Sequence, residues 1–323
     1  MHSPDPTRLT GRLRGHGDTP LSKRERRPQA GARPDRPLLG IALVVLSTIF
    51  LASGDVTAKY LASSLPAIQI AWLRFLSFSI IMALIAIATG PRAILRSCRP
   101  TLQVIRGLGL VSSALLFISA LHHLDVADAT AIFFISPFLV MALSRLSLKE
   151  RVGPKRWAAA AFGLVGVVII LRPNTPTFHV ASILPLLAAL AWAGTLVITR
   201  KMSALDAPET TLLYSALVGL AASSALVPFA WVAPTPRELL LGGLVGILST
   251  AGHAIVVVAY RHADASLLVP YTYGQILWAS ASGFFLLGAV PDEWTFGGAS
   301  LIVLSGLYNA AQARVRMRSA FRQ

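Results

Sequence analysis

The sequence predicts an all-α integral membrane protein with ten transmembrane helices. They form two inverted five-helix repeats, and both termini are cytoplasmic. Three observations predict this. Of 323 residues, 54% are hydrophobic and 13% charged, against about 25% charged in an ordinary soluble domain; mean hydropathy is +0.65. The apolar residues fall into ten runs near the roughly 20 residues that a bilayer core requires. With the N-terminus placed inside, 24 of the 29 Lys and Arg flank the runs on the inner side and two, Arg172 and Arg237, on the outer side, as the positive-inside rule demands. One missed helix would invert every later loop.

Residues 1–37 come first. They are rich in Arg, Pro and Gly, carry nine of the basic residues and have little apolar content, the composition of a disordered cytosolic tail. The spans follow at 38–60, 67–89, 101–121, 127–146, 155–171, 180–199, 210–232, 238–260, 265–289 and 294–312. A short basic tail, 314–323, ends the chain. The net charge of +15 is thus explained by topology and not by nucleic acid. Cys98 stands alone, and no His/Cys cluster has metal-site spacing, so neither a metal nor a cofactor is expected.

The two halves, 38–172 and 180–313, resemble one another at a shift of about 140 residues. "SGDVTAKYLASSLP" meets "AGTLVITRKMSALD", with Gly54 over Gly194 and Ser63 over Ser203. "ALHHLDVADA" meets "AYRHADASLL", with Ala120 over Ala259, His123 over His262 and Asp125 over Asp264. Five spans per half is an odd number, so the second half enters the membrane from the opposite face. This architecture is typical of secondary transporters, whose substrate site lies near the midplane between the halves.

These features resemble the drug/metabolite transporter superfamily of EamA type. The phrase from Ala120 to Leu171 is similar to the end of an EamA repeat: an apolar helix with central Pro137, Glu150 at its inner end, then a Gly-rich helix around Gly163 and Gly166. Within the superfamily, "GDVTAKYL", "RPTLQVIRGLGL", "ADASLLVPYTY" and "LGAVPDEWTF" resemble the branch of S-adenosylmethionine uptake transporters. The second half departs from the pattern, with Ala289 where a Glu usually precedes Val-Pro. The resemblance implies alternating-access transport of a small metabolite in the inner or plasma membrane. S-adenosylmethionine or another amino-acid-like or cationic compound is the implied cargo. An efflux carrier for amino acids or drugs is the alternative, and a non-transporting receptor or structural protein the reading from another class. Expected partners are the cargo, a proton or counter-substrate, the bilayer and, as an open option, a second copy in a homodimer.

Charges inside the spans nominate the site, because each costs roughly 2.5–3.5 kcal/mol at the centre of a membrane helix. Asp55 and Lys59 lie four apart on span 1, and Arg74 lies at similar depth on span 2. Asp55 and Arg74 read either as an ion pair fixing two helices, with Lys59 snorkelling to the surface, or as a substrate site. In the second case Arg74 anchors a carboxylate, and Asp55 carries a proton or faces a substrate cation. Arg106, near the inner end of span 3, is expected to snorkel. On span 9, Tyr271, Gln275, Trp278 and Ser282 fall on one helical face. Pro270 opens that stripe, and Pro137 interrupts span 4 at a corresponding place. Trp192, Tyr214 and His253 complete the candidates, His253 as a proton relay or a structural histidine. No GxxxxGK[ST], HExxH or GxSxG pattern occurs, so nucleotide-driven and hydrolytic chemistry have no sequence support.

Overall fold

The computed structural model describes residues 37–89, 96–148, 154–171, 179–202, 205–259, 262, 271–288 and 292–320. Pro270, Glu150, Ala289, Asp264 and the N-terminal tail lie outside the described residues. The helices are α1 Pro37–Leu61, α2 Ala67–Thr89, α3 Pro100–Leu121, α4 Val126–Phe133, α5 Ser136–Leu148, α6 Pro154–Leu171, α7 Ile183–Met202, α8 Pro208–Leu226, α9 Pro236–Ala259, α10 Gly274–Leu287 and α11 Glu293–Ala320. Five of them begin on a proline, whose fixed φ suits the first helical turn and whose missing N–H costs nothing there. Ahead of α9, Thr235 and Glu238 form a capping box: the Thr235 hydroxyl accepts from the Glu238 N–H at 3.3 Å, and the carboxylate accepts from the Thr235 N–H at 2.7 Å.

Seven spans among the described residues are long and apolar enough to cross a membrane, and Ala161–Leu171 and Gly274–Leu287 are shorter apolar helices. The expected fourth span is not one continuous helix. It breaks at Phe134–Ile135 between α4 and α5, although the whole stretch Val126–Ser147 still has the length of one span. Pro137 explains the break, because it cannot donate to the carbonyl four residues earlier and its ring crowds that turn. The chain tightens instead: the Ile135 N–H donates to Ile132 O at 3.2 Å and the Phe138 N–H to Ile135 O at 3.0 Å. The ninth span is also interrupted, at Tyr273, which leaves Tyr271 and Thr272 in a separate helical turn. At its other end α10 stops on Gly288, whose φ of 69° is left-handed and favours glycine.

The helix pairings follow the repeat. Helix α1 packs on α9 and α10, α7 on α3 and α5, α2 on α8 and α9, and α8 on α3; α6 packs on α11 and α4 on α10. Exchange α1 with α7, α2 with α8, α3 with α9, α4–α5 with α10 and α6 with α11. Each of these pairings then becomes another or returns to itself. Phe134 and Tyr273 hold equivalent places, about 140 residues apart, and their rings touch at 5.1 Å. The two interruptions therefore meet at the centre of the exchange.

In lipid, helices associate through close van der Waals contact, which favours small residues at the crossings. On α6 and α11, Gly166 and Gly298 face each other. A Cβ on Gly166 would lie 2.6 Å from Gly298 O, and one on Gly298 2.5 Å from Gly166 O. On α9, Gly242 and Gly246 receive Leu73 and Ser77 of α2. Fully buried Phe75, Ile70, Ile118, Leu121 and Ile132 fill the space between these crossings. Gly298→Leu should force α6 and α11 apart and cost about 1–3 kcal/mol. Thermal unfolding of the detergent-solubilised chain reads this out, and an unchanged midpoint would refute the crossing.

Candidate functional site

Asp55 lies six residues before the end of α1, and Arg74 lies seven residues into α2. At 1.5 Å per residue both sit about 9–10 Å from the turn joining the helices. The matched depth expected from the sequence is present, and the two charges interact electrostatically. No hydrogen bond or direct ion pair joins them among the described residues. Asp55 instead accepts a hydrogen bond from Gln275 Nε2 of α10 at 3.1 Å. Gly54 lets α1 approach α9, since a Cβ there would lie 3.3 Å from the Ser249 hydroxyl.

One turn along α9 is His253. Its Nδ1 is 2.7 Å from Ser249 O. A carbonyl only accepts, so Nδ1 carries a proton. The edge of Trp192 on α7 meets the imidazole at 5.9 Å and 71°. His253 also lies within electrostatic reach of both Arg74 and Arg106. Asp55, Arg74, Trp192, His253 and Gln275 thus form one half-buried polar cluster, drawn from α1 and α2 of the first half and α7, α9 and α10 of the second.

Other candidates fall elsewhere. Tyr271 and Trp278 are 37% and 39% exposed, and neither makes a ring contact or hydrogen bond among the described residues. The break at Tyr273 separates Tyr271 from the rest of the proposed stripe, of which Gln275 alone reaches Asp55. Tyr214 is half-buried on α8, and Pro137 acts at the break between α4 and α5. Tyr273 was missed. Its ring is buried, its hydroxyl has no partner among the described residues, and it packs so tightly on α11 that any side chain at Gly306 would overlap it. Its equivalence with Phe134 in the repeat was the available signal.

Of the two cations expected to snorkel, Arg106 turns inward and Lys59 reaches the connection beyond α3. Lys59 donates from Nζ to Leu124 O at 2.9 Å and ties α1 to the chain after α3. Arg106 is only 9% exposed. Its Nε donates to the Thr199 hydroxyl at 2.6 Å, and its Nη1 to Thr211 O at 3.3 Å and to the Ser215 hydroxyl. Next to it, Gly107 and Gly109 bring α3 close to Val218 of α8 and Thr195 of α7. That closeness encloses the guanidinium, leaving it no open route along the helix surface.

Polar ties join the halves at both ends. At one end Asp206, between α7 and α8, accepts from the Ser97 hydroxyl at 2.5 Å, the Cys98 N–H at 2.8 Å and Gln103 Nε2 at 2.7 Å. At the other end Gln69 of α2 pairs with the Val232 peptide in both directions, at 2.7 and 3.0 Å. Trp72 donates to the Ser224 hydroxyl at 2.9 Å and meets Trp231 edge to face at 5.8 Å. Asp206 lies outside the spans. Partial desolvation acts to raise its pKa, but the hydrogen bonds from Ser97, Cys98 and Gln103 outweigh it and hold the carboxyl below the ordinary 3.8.

The assembly is a transport scaffold, since polar residues of two interleaved repeats converge inside an apolar bundle. The profile of the EamA-like transporter family matches residues 38–172 and 179–309, and the chain belongs to that family. It is a multi-pass membrane transporter and not an enzyme. It is 28% identical over 274 residues to an S-adenosylmethionine uptake transporter of Rickettsia prowazekii (strain Madrid E), covering 84% of this chain and 92% of the relative. It is 29% identical over 282 residues to a riboflavin transporter of Rhizobium johnstonii, covering 85% and 92%. A pseudopaline exporter of Pseudomonas aeruginosa is 27% identical over 271 residues, covering 82% and 94%. A solved crystal structure superposes with a TM-score of 0.61 at 22% identity, covering 84% of this chain and 96% of that one, which shows the shared fold.

A carboxylate with a depressed pKa stabilises the fold above its unfolded pKa, and that stability is lost as pH falls through the folded value. Asp206→Asn should lower the unfolding midpoint at neutral pH. The gap to the parent should shrink as pH is taken below about 3.8. A gap that stays constant with pH would show that the carboxylate charge contributes nothing to this tie.

Proposed function

We propose that the chain is a secondary active carrier of the inner or plasma membrane, with ten spans and cytoplasmic termini. It moves a small polar or zwitterionic metabolite by alternating access. The observation that carries this reading is the cluster of Asp55, Arg74, Trp192, His253 and Gln275, assembled from both halves. Asp55 and Arg74 make no direct ion pair among the described residues. Here Asp55 takes its hydrogen bond from Gln275, and the Arg74 guanidinium has no hydrogen-bond partner among the described residues. A substrate carboxylate fits that guanidinium, through the paired hydrogen bonds arginine offers. Asp55 is the group that would exchange a proton or balance a cation on the cargo. S-adenosylmethionine, riboflavin and pseudopaline-like compounds are the first cargoes to test, because relatives of similar identity bear those names. Coupling is to protons or to a counter-substrate.

Flux into liposomes containing the purified chain tests this. One of these cargoes, or an amino acid or amine in the same panel, should enter saturably. Arg74→Ala should reduce that entry at least tenfold, about the loss of one charge-assisted hydrogen bond, while the protein remains inserted and monodisperse. Asp55→Asn should retain exchange and lose the response to a pH gradient if Asp55 carries the proton. Unimpaired flux in Arg74→Ala would reduce that residue to a helix lock.

A further inference from the structure

Resting on the carrier reading above, the charges around the cluster point to the sign of the cargo. Asp55 is the only carboxylate among the described residues that sits in the interior of a helix. The others lie in first turns or connecting segments. Two guanidiniums, Arg74 and Arg106, lie within electrostatic reach of His253. Asp55 acts on Arg74. Among the described residues no carboxylate makes a hydrogen bond or ion pair with Arg106; Asp206, in the segment between α7 and α8, accepts from Ser97, Cys98 and Gln103.

The partners of Arg106 are all neutral, and their protons are already committed. The Thr199 hydroxyl donates to Thr195 O at 2.7 Å and the Ser215 hydroxyl to Thr211 O at 2.6 Å. Each hydroxyl can therefore offer the guanidinium only a lone pair. Arginine has five N–H donors in a planar fork. The three bonds described use Nε and Nη1, and Nη2 has no partner among the described residues. Among the described residues this enclosed cation is met only by dipoles and by no counter-ion. His253 carries no negative charge in either protonation state and cannot supply one.

We infer that the cargo is a net anion, and that Arg106 is a second anion-binding contact: it bonds Thr199, two turns along α7 from Trp192, whose ring meets His253. A cargo carrying two acidic groups, or one that passes from one guanidinium to the other, supplies the missing negative charge. Arg106 then sets specificity by charge. A sulfonium or an amine would meet an excess of positive charge at this end of the cluster.

The test uses the full chain in detergent, with thermal unfolding as the readout and NaCl matched for ionic strength. Glutamate, citrate and adenosine monophosphate are compared with glutamine, adenosine and S-adenosylmethionine. At least one of the anions should raise the midpoint, and its neutral analogue or the sulfonium should not. Arg106→Gln should raise the anion concentration needed by about tenfold or more, and Arg106→Lys by less, since the charge is kept. Gly298→Leu, at the α6–α11 crossing, separates general destabilisation: it should lower the midpoint of the free protein and leave the anion dependence in place. No anion effect beyond the salt control, or an effect unchanged in Arg106→Gln, would overturn the inference. Saturable flux of a cation, lost in Arg74→Ala and intact in Arg106→Gln, would leave the carrier reading standing and end this one. Anion stabilisation lost in Arg106→Gln without saturable flux of any compound would end the carrier reading and leave Arg106 as an anion-binding residue only.

Discussion

A charged group inside an apolar medium must be met by protein, by water or by cargo, because hydrocarbon cannot solvate it. Backbone groups obey the same constraint, which is why the spans are helical and why broken turns occur only between packed helices. The break at Phe134–Ile135 is covered by Tyr273. The cation Lys59 finds a carbonyl, and Arg106 finds two hydroxyls and a carbonyl. Asp55 finds an amide. These three side chains are thus tied to neighbouring elements, whereas the Arg74 guanidinium and the buried Tyr273 hydroxyl have no hydrogen-bond partner among the described residues.

The repeat supplies those partners in an economical way. Each half presents one helix interrupted near its middle, and the two interruptions touch through Phe134 and Tyr273. Around that point α1 and α9 exchange with α7 and α3, so several polar residues of one half are met by the other half, while Lys59 is met by Leu124 of its own. Asp55 bonds α10, Arg106 bonds α7 and α8, and Gln69 bonds the segment before α9. The two halves are nevertheless chemically unequal. Arg74 on α2 has Tyr214 as its counterpart on α8, and Asp55 has no acidic counterpart on α7. Symmetric packing therefore carries an asymmetric charge pattern, and selectivity has to be sought in that asymmetry.

The multi-span helical fold was legible in the sequence because hydrophobic run length is set by the bilayer, not by tertiary detail. Asp55 and Arg74 were legible for a related reason: helical rise places two residues at one depth when each is a similar number of residues from a shared turn. Direction around the helix was harder to read. Lys59 shares a helical face with Asp55 by spacing, yet its long side chain reaches Leu124. Arg106 looked like a snorkelling end residue, but Gly107 and Gly109 bring α7 and α8 too close for it to escape. The Tyr271, Gln275, Trp278 stripe assumed an unbroken helix. The turn at Tyr273 removes the first member, and Trp278 remains largely exposed. Glycines mark such close approaches in a sequence, but they do not say which neighbour approaches.

The ties at the two ends differ in kind, and the difference bears on how such a bundle could open. At one end Asp206 gathers three donors onto a carboxylate, a charged and salt-sensitive tie. At the other, Gln69 and the Val232 peptide form a neutral pair backed by two tryptophans. The charged tie gains strength from exclusion of water and weakens once water enters. The neutral pair depends less on that. If the halves rock about the contact of Phe134 with Tyr273, the Asp206 end has the stronger feedback between wetting and opening. The cluster lies between the ends and contains groups from both halves, so a cargo bound there adds contacts across the same interface that the end ties span. Binding and closure would then draw on one set of helix contacts, which is the coupling that an alternating-access carrier requires.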